Sequence, residues 1–272
     1  MGEGASRRGN SDMPLPLHVR EYGDTGQPVV LLHGLFGSSA NWGSIARELG
    51  ERYRVIVPDL RNHGQSPHTD EMDYPAMAGD LWALCDRLHV ERPLLIGHSM
   101  GGKVVMQAAL TQPGRPAGIA AVDIAPVAYA HDFSRILDGI EAIDLATLPD
   151  RKQADRDLKA YVPEPGVRAF LLQNLVRTDG GWGWRVNLPV LRSAMRTITG
   201  FDVPPDGHFE GPAYFIHGAL SHYVQPGYEP VIRALFPRAA LCKVQDAGHW
   251  VYAEQRDGFM RCLRRFLQAA AV

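Results

Sequence analysis

The sequence predicts an α/β protein, with a mostly parallel central sheet, helices on both faces and an inserted helical cap. Short, wholly apolar runs of the kind found in strands buried on both faces alternate with amphipathic helical patterns. That alternation lapses between residues 125 and 211, a span too long for a structureless loop. The 272 residues are 45% hydrophobic and 21% charged, which excludes disordered, collagen-like and disulfide-knotted chains. A formal net charge of −2 supplies no field favouring nucleic acid or an anionic membrane.

The expected division is a disordered tail over 1–12, an α/β core over 13–124 and 212–272, and a helical cap over 125–211. The tail has no apolar stretch after its arginines, as a secretory signal would require, so a cytoplasmic location is expected. Leu15, Leu17 and Val19 alternate with other residues as in a half-exposed strand. Residues 28–33 (PVVLLH) form the first buried strand. Trp42, Ile45, Ala46 and Leu49 then recur at helical spacing, with Asn41 as the expected N-cap. Buried strands follow at 55–58 (VIVP), 93–97 (PLLIG) and 119–123 (IAAVD), separated by helices through Met77–Leu88 and from Ser99 to about Leu110. In the expected cap, helices are read around Phe133–Ile140, 167–175 and 190–198. The core resumes with strands at 212–217 and 239–245 and a helix over 252–270.

Chemistry concentrates in LLIGHSMGG, residues 94–102. Gly97-His98-Ser99-Met100-Gly101 fits G-x-S-x-G, directly after an apolar run and directly before a helical one. A serine on such a turn is lifted clear of the sheet, and the new helix aims free N–H groups at charge developing beside it. Of eleven histidines, His249 is placed to act as the base, because it lies between the last strand and the last helix. The turn after 28–33 offers backbone donors for an oxyanion hole: Leu35 first, Phe36 beside it, paired with the N–H of Met100.

HGLFGSSANW, PDLRNHGQSPH, LIGHSMGG and DAGHW, in this order and spacing, resemble the α/β-hydrolase superfamily and, more narrowly, small serine esterases of the YbfF type. The resemblance runs from about Leu15 to Phe266 and includes Trp184-Arg185-Val186-Asn187-Leu188. It implies an α/β-hydrolase fold and a Ser-His-acid triad. Most of the superfamily takes its acid from the loop after the strand that is here 212–217, but residues 218–224 contain no carboxylate. The YbfF-type resemblance implies an acid in the VDIAP context, which is Asp123. Asp246, three residues before His249, is the competing carboxylate, read as a loop brace.

The polar side chains of 59–66 are expected to frame the site through a tight turn, His33 and His98 to brace it, and His222 to pack near His249 or face solvent. Arg185 is expected to pair with an acidic residue of the cap, with a substrate carboxylate as the alternative. Cys85, Cys242 and Cys262 have no metal spacing and are expected as buried free thiols. Neither cofactor nor metal is expected, and no dinucleotide fingerprint follows an early strand.

The function expected is a serine carboxylesterase for small to medium acyl esters, extending to thioesters, through Ser99, Asp123, His249 and an acyl-enzyme. The alternatives are a carbon–carbon bond hydrolase of ring-cleavage products and a non-catalytic ligand-binding protein of the same fold. The expected partner is a small-molecule ester, with no nucleic acid and no membrane, in a monomer or homodimer.

Overall fold

The computed structural model describes residues 13–271. The expected tail over 1–12 lies outside the described residues. The chain runs β1 (Val19–Tyr22), β2 (Pro28–Leu32), α1 (Gly43–Leu49), β3 (Arg54–Pro58), α2 (Tyr74–Arg87), β4 (Leu94–His98), α3 (Met100–Thr111) and β5 (Gly118–Val122). It then leaves the sheet for α4 (Ser134–Glu141), α5 (Arg151–Leu158), α6 (Pro165–Leu171), the hairpin β6 (Leu175–Thr178) and β7 (Gly181–Trp184), α7 (Leu188–Ser193) and α8 (Met195–Thr199). It returns through β8 (Ala213–Gly218), α9 (Glu229–Leu235), β9 (Ala239–Val244), α10 (Val251–Glu254) and α11 (Arg256–Ala269).

Seven strands form one sheet in the order β1-β3-β2-β4-β5-β8-β9, with β1 antiparallel to β3 and every other pairing parallel. Parallel neighbours need crossovers on the faces, so both faces are covered and the central strands are apolar throughout. Side-chain alternation then divides the core into two. Val30, Leu32, Leu95 and Phe215 pack on the side of α2 and α3. Val29, Leu31, Leu94, Ile96 and Ile216 pack with Ile45 and Leu49 of α1 and Phe259, Leu263 and Phe266 of α11. Burying one such side chain contributes roughly 1.5–3 kcal/mol. Leu263→Ala would cost about 2–5 kcal/mol, because the packed neighbours close only part of the cavity.

Several local expectations are corrected. The first strand starts at Val19, and Leu17 is buried ahead of it. Asn41 does not cap α1. Ser38 caps a one-turn 3-10 helix (Ser39–Trp42) in a capping box, with the Asn41 side chain reaching back to the Ser38 N–H. The segment between β5 and β8 is not wholly helical, since β6 and β7 pair as an antiparallel hairpin. Cys242 and Cys262 are not free thiols. They are joined in a disulfide between β9 and α11, with Cα atoms 6.0 Å apart. Cys85 alone is a buried free thiol, and burial pushes it up to about 12. Among the described residues, no helix is long and apolar enough to cross a membrane.

The parallel register brings the carboxyl ends of the strands to one edge: His98 lies opposite Val122, Val122 opposite Ile216, and Gly218 opposite Val244. Every residue expected to do chemistry leaves the sheet there.

Candidate active site

Ser99 sits between the end of β4 and the start of α3 with φ 52° and ψ −117°, a left-handed backbone that a non-glycine residue adopts only under constraint. Two glycines make the constraint possible. A Cβ on Gly97 would come 2.1 Å from the Gly101 carbonyl oxygen, and one on Gly101 would come 2.5 Å from that of His33. The helix therefore packs against β4 and β2 more closely than any side chain would permit.

His249 reaches this serine from the loop after β9. Its Nε2 is 3.1 Å from Ser99 Oγ, in position to accept the hydroxyl proton. Its Nδ1–H donates to Asp123 Oδ2 at 2.8 Å, which fixes the tautomer that leaves Nε2 unprotonated. Asp123 follows β5 with φ 53° and is fully buried. A buried carboxylate needs donors, and it also receives the Gly218 N–H at 3.0 Å on Oδ1 and the Ser221 hydroxyl on Oδ2. Asp246 is exposed, and its backbone carbonyl, not its carboxylate, is the atom in a hydrogen bond, from Gln255.

Two contacts, one on Asp123 and one on His249, escaped the sequence reading. Ser221 stands in the loop where a carboxylate was sought and found missing, and its hydroxyl braces Asp123 instead. Tyr223, not the exposed His222, packs on His249: the two rings stack with centroids 4.0 Å apart at 22°. Chain position after β8 was the available signal for both residues. His98 braces the other side by donating Nε2–H to the His249 carbonyl at 2.9 Å. Burial, with His249 nearby, holds the His98 imidazole down to about 3, so it stays neutral.

Around the expected oxyanion hole, the N–H groups of Leu35 and Met100 have no acceptor among the described residues. Phe36 does not belong with them. Its N–H donates to His63 Nε2 at 3.2 Å, so it is committed to the frame. The frame itself is the turn after β3. Asp59 accepts from the Ser39 and Gln65 N–H groups, and Arg61 lies buried in a two-bond pair with Asp80 at 2.7 and 2.9 Å. His33 accepts the Leu60 N–H at 2.9 Å and donates to the Gly34 carbonyl, and burial pushes it below its ordinary value. Arg185 is exposed and makes no ion pair among the described residues. Its backbone is what engages, through Asn174 and His68.

A cavity of about 30 Å³ opens beside Ser99, walled by Leu35, Met100, Ile124, Phe133 and Ile198. Lys103, one helical turn beyond Ser99, lines it with a buried ammonium. That group donates to the carbonyls of Thr199 and Gly200 at 2.8 and 2.7 Å and lies 4.8 Å from the centroid of the Tyr129 ring. Tyr74 donates to the Ile198 carbonyl at 2.5 Å, so the end of α8 is tied down over the cavity by two core side chains. Burial pushes Lys103 down to about 7.

The chain matches the family model described as the alpha/beta hydrolase fold over residues 27–160. It is 41% identical to esterase YbfF of Escherichia coli (strain K12), over 88% of this chain and 92% of that protein. It is 40% identical to sn-1-specific diacylglycerol lipase ABHD11 of Mus musculus, over 97% of this chain and 89% of the other. A solved marine microorganism esterase superposes with a TM-score of 0.91 at 35% identity, covering 93% of this chain and all of that one.

Proposed function

The chain belongs to the α/β-hydrolase family and is a serine ester hydrolase, and we propose that Ser99, His249 and Asp123 carry out its chemistry on small to medium acyl esters. The observation supporting this is the unbroken relay from Ser99 Oγ through His249 to buried Asp123, 3.1 and 2.8 Å long. Ser99 Oγ attacks the ester carbonyl as its proton passes to His249 Nε2, and the new charge on His249 rests against Asp123. The tetrahedral oxyanion takes the free N–H groups of Leu35 and Met100, each such donor contributing about 2.7–4 kcal/mol to lowering the barrier. His249 then returns the proton to the departing alkoxide, releasing the alcohol and leaving Ser99 acylated. Water attacks the acyl-enzyme by the same route in reverse, its proton going to His249 and then to Ser99 Oγ as the acid departs.

We read residues 125–211 as a cap roofing this site, and the narrow, mostly apolar cavity as the reason for a preference for short and medium chains. Thioesters fit the same steps. The relatives' names, esterase and diacylglycerol lipase, agree with an ester substrate. A cytoplasmic location is part of the proposal, the Cys242–Cys262 disulfide weighs against it, and differential alkylation in cells reads which holds.

A p-nitrophenyl ester series from acetate to palmitate tests the reading. Turnover should peak below about ten acyl carbons and vanish in Ser99→Ala. Turnover that survives in Ser99→Ala would contradict it.

A further inference from the structure

Gly34, Leu35, Phe36 and Gly37 form a four-residue turn closed by the Gly37 N–H on the Gly34 carbonyl at 3.0 Å. Phe36 has φ 62°, while Leu35 keeps an ordinary φ. That combination is a type II turn, whose third position calls for glycine. A phenylalanine there is strained, and something outside the turn must hold it.

Two buried side chains do so from opposite sides. His63 Nε2 accepts the Phe36 N–H at 3.2 Å, while its Nδ1–H donates to the Arg61 carbonyl at 2.9 Å. Burial beside His33 keeps the His63 imidazole neutral, down to about 3, so the accepting lone pair persists at all ordinary pH. Asn174 Nδ2 donates to the Phe36 carbonyl at 2.8 Å and to the Leu171 carbonyl at 3.2 Å. Asn174 belongs to the segment between β5 and β8, whereas His63 belongs to the core. The peptide planes on both sides of Phe36 are therefore pinned. A type I turn would flip the central peptide and set the Leu35 carbonyl against the His63 lone pair, which is repulsive.

We propose that His63 and Asn174 are positioning residues for the oxyanion hole, holding the Gly34–Gly37 turn so that the Leu35 N–H points at the developing oxyanion. The inserted segment then contributes to transition-state stabilisation through Asn174, as well as walling the cavity. This rests on the Ser99 esterase reading above.

The test compares His63→Leu and Asn174→Leu with the unsubstituted protein on a short p-nitrophenyl ester. An alkylboronic acid serves as the tetrahedral analogue, and the matching amide as the ground-state competitor. Each substitution should lower kcat about tenfold to a hundredfold, reaching at most the lower end of the loss for removing an oxyanion donor outright, and leave KM within threefold. Boronate affinity should fall by the same factor as kcat while amide affinity holds. His63→Gln, whose Oε1 can accept the Phe36 N–H, should recover most of kcat. If the leucine variants do not fold, Asn174→Asp, which cannot donate, against His63→Gln makes the same comparison. An unchanged kcat, or a fall in kcat without a matching loss of boronate affinity, overturns the proposal. Turnover without dependence on Ser99 overturns the esterase reading as well, and so is distinguishable from failure of this inference alone.

Discussion

Ser221 donates its hydroxyl to Oδ2 of Asp123, the same oxygen that receives Nδ1–H of His249. Asp123 is thus held from the loop after β8, although its own carboxylate comes from the end of β5. Ser221→Ala should lower kcat about tenfold to a hundredfold, the loss of one hydrogen bond to a charged group. Asp123→Asn should cost about 10⁴ by favouring the wrong imidazole tautomer, and exposed Asp246→Asn should cost less than about twofold. Steady-state kinetics on one ester ranks all three, and a larger loss at Asp246 than at Asp123 contradicts the assignment.

Tyr223 lays its ring on His249, so the imidazolium of the proposed mechanism would face an aromatic π-system. Tyr223→Phe should keep most activity, while Tyr223→Leu should lower kcat/KM about threefold to thirtyfold. An unchanged kcat/KM in the leucine variant would remove this role.

Acid should unfold the protein before its carboxylates are fully protonated. His33, His63 and His98 are all buried, and burial lowers each below 6.5, with His63 and His98 down to about 3. Between 6.5 and about 3 the unfolded chain binds protons that the native state refuses. Stability therefore rises with pH across that window and is lost as pH falls, by roughly 1.4 kcal/mol per pH unit for each of His63 and His98, with His33 acting in the same direction. Urea midpoints from pH 7 to 4.5 measure this directly. A flat midpoint would mean the histidines take up protons in the folded protein.

Lys103 and Tyr74 tie down Ile198, Thr199 and Gly200 at the end of α8, where Ile198 and Thr199 wall the cavity beside Ser99. Lys103→Met keeps the volume and removes the two tethers, so kcat/KM for octanoate relative to acetate should rise about tenfold. Tyr74→Phe should move the ratio the same way by a smaller factor. A ratio unchanged in both would show that the α8 end does not limit chain length.

The sheet was legible because its strands are buried on both faces: 28–33 and 93–97 read as apolar blocks and nothing else accounts for them. Ser99 and His249 were legible for a related reason, since each sits where an apolar run ends. Residues 181–184 (GWGW) were not read as a strand, because glycine lowers strand propensity and only pairing with β6 selects the extended form. Cys242 and Cys262 are twenty positions apart, and only the packing of α11 on β9 brings them together. Ser221 was passed over because the search at that loop was for a carboxylate, whereas a hydroxyl suffices once Asp123 supplies the charge. The choice between Leu35 and Phe36 depended on His63, a partner twenty-seven residues away from Phe36.

Labelling with an alkyl fluorophosphonate, read by intact mass and peptide mapping, reaches the Ser99–His249 pair most directly. One equivalent should attach at Ser99, with the rate falling by at least a thousandfold in His249→Ala while the fold is retained. Modification at another residue, or an unchanged rate without the imidazole, would mean that the 3.1 Å contact between them does not activate the hydroxyl.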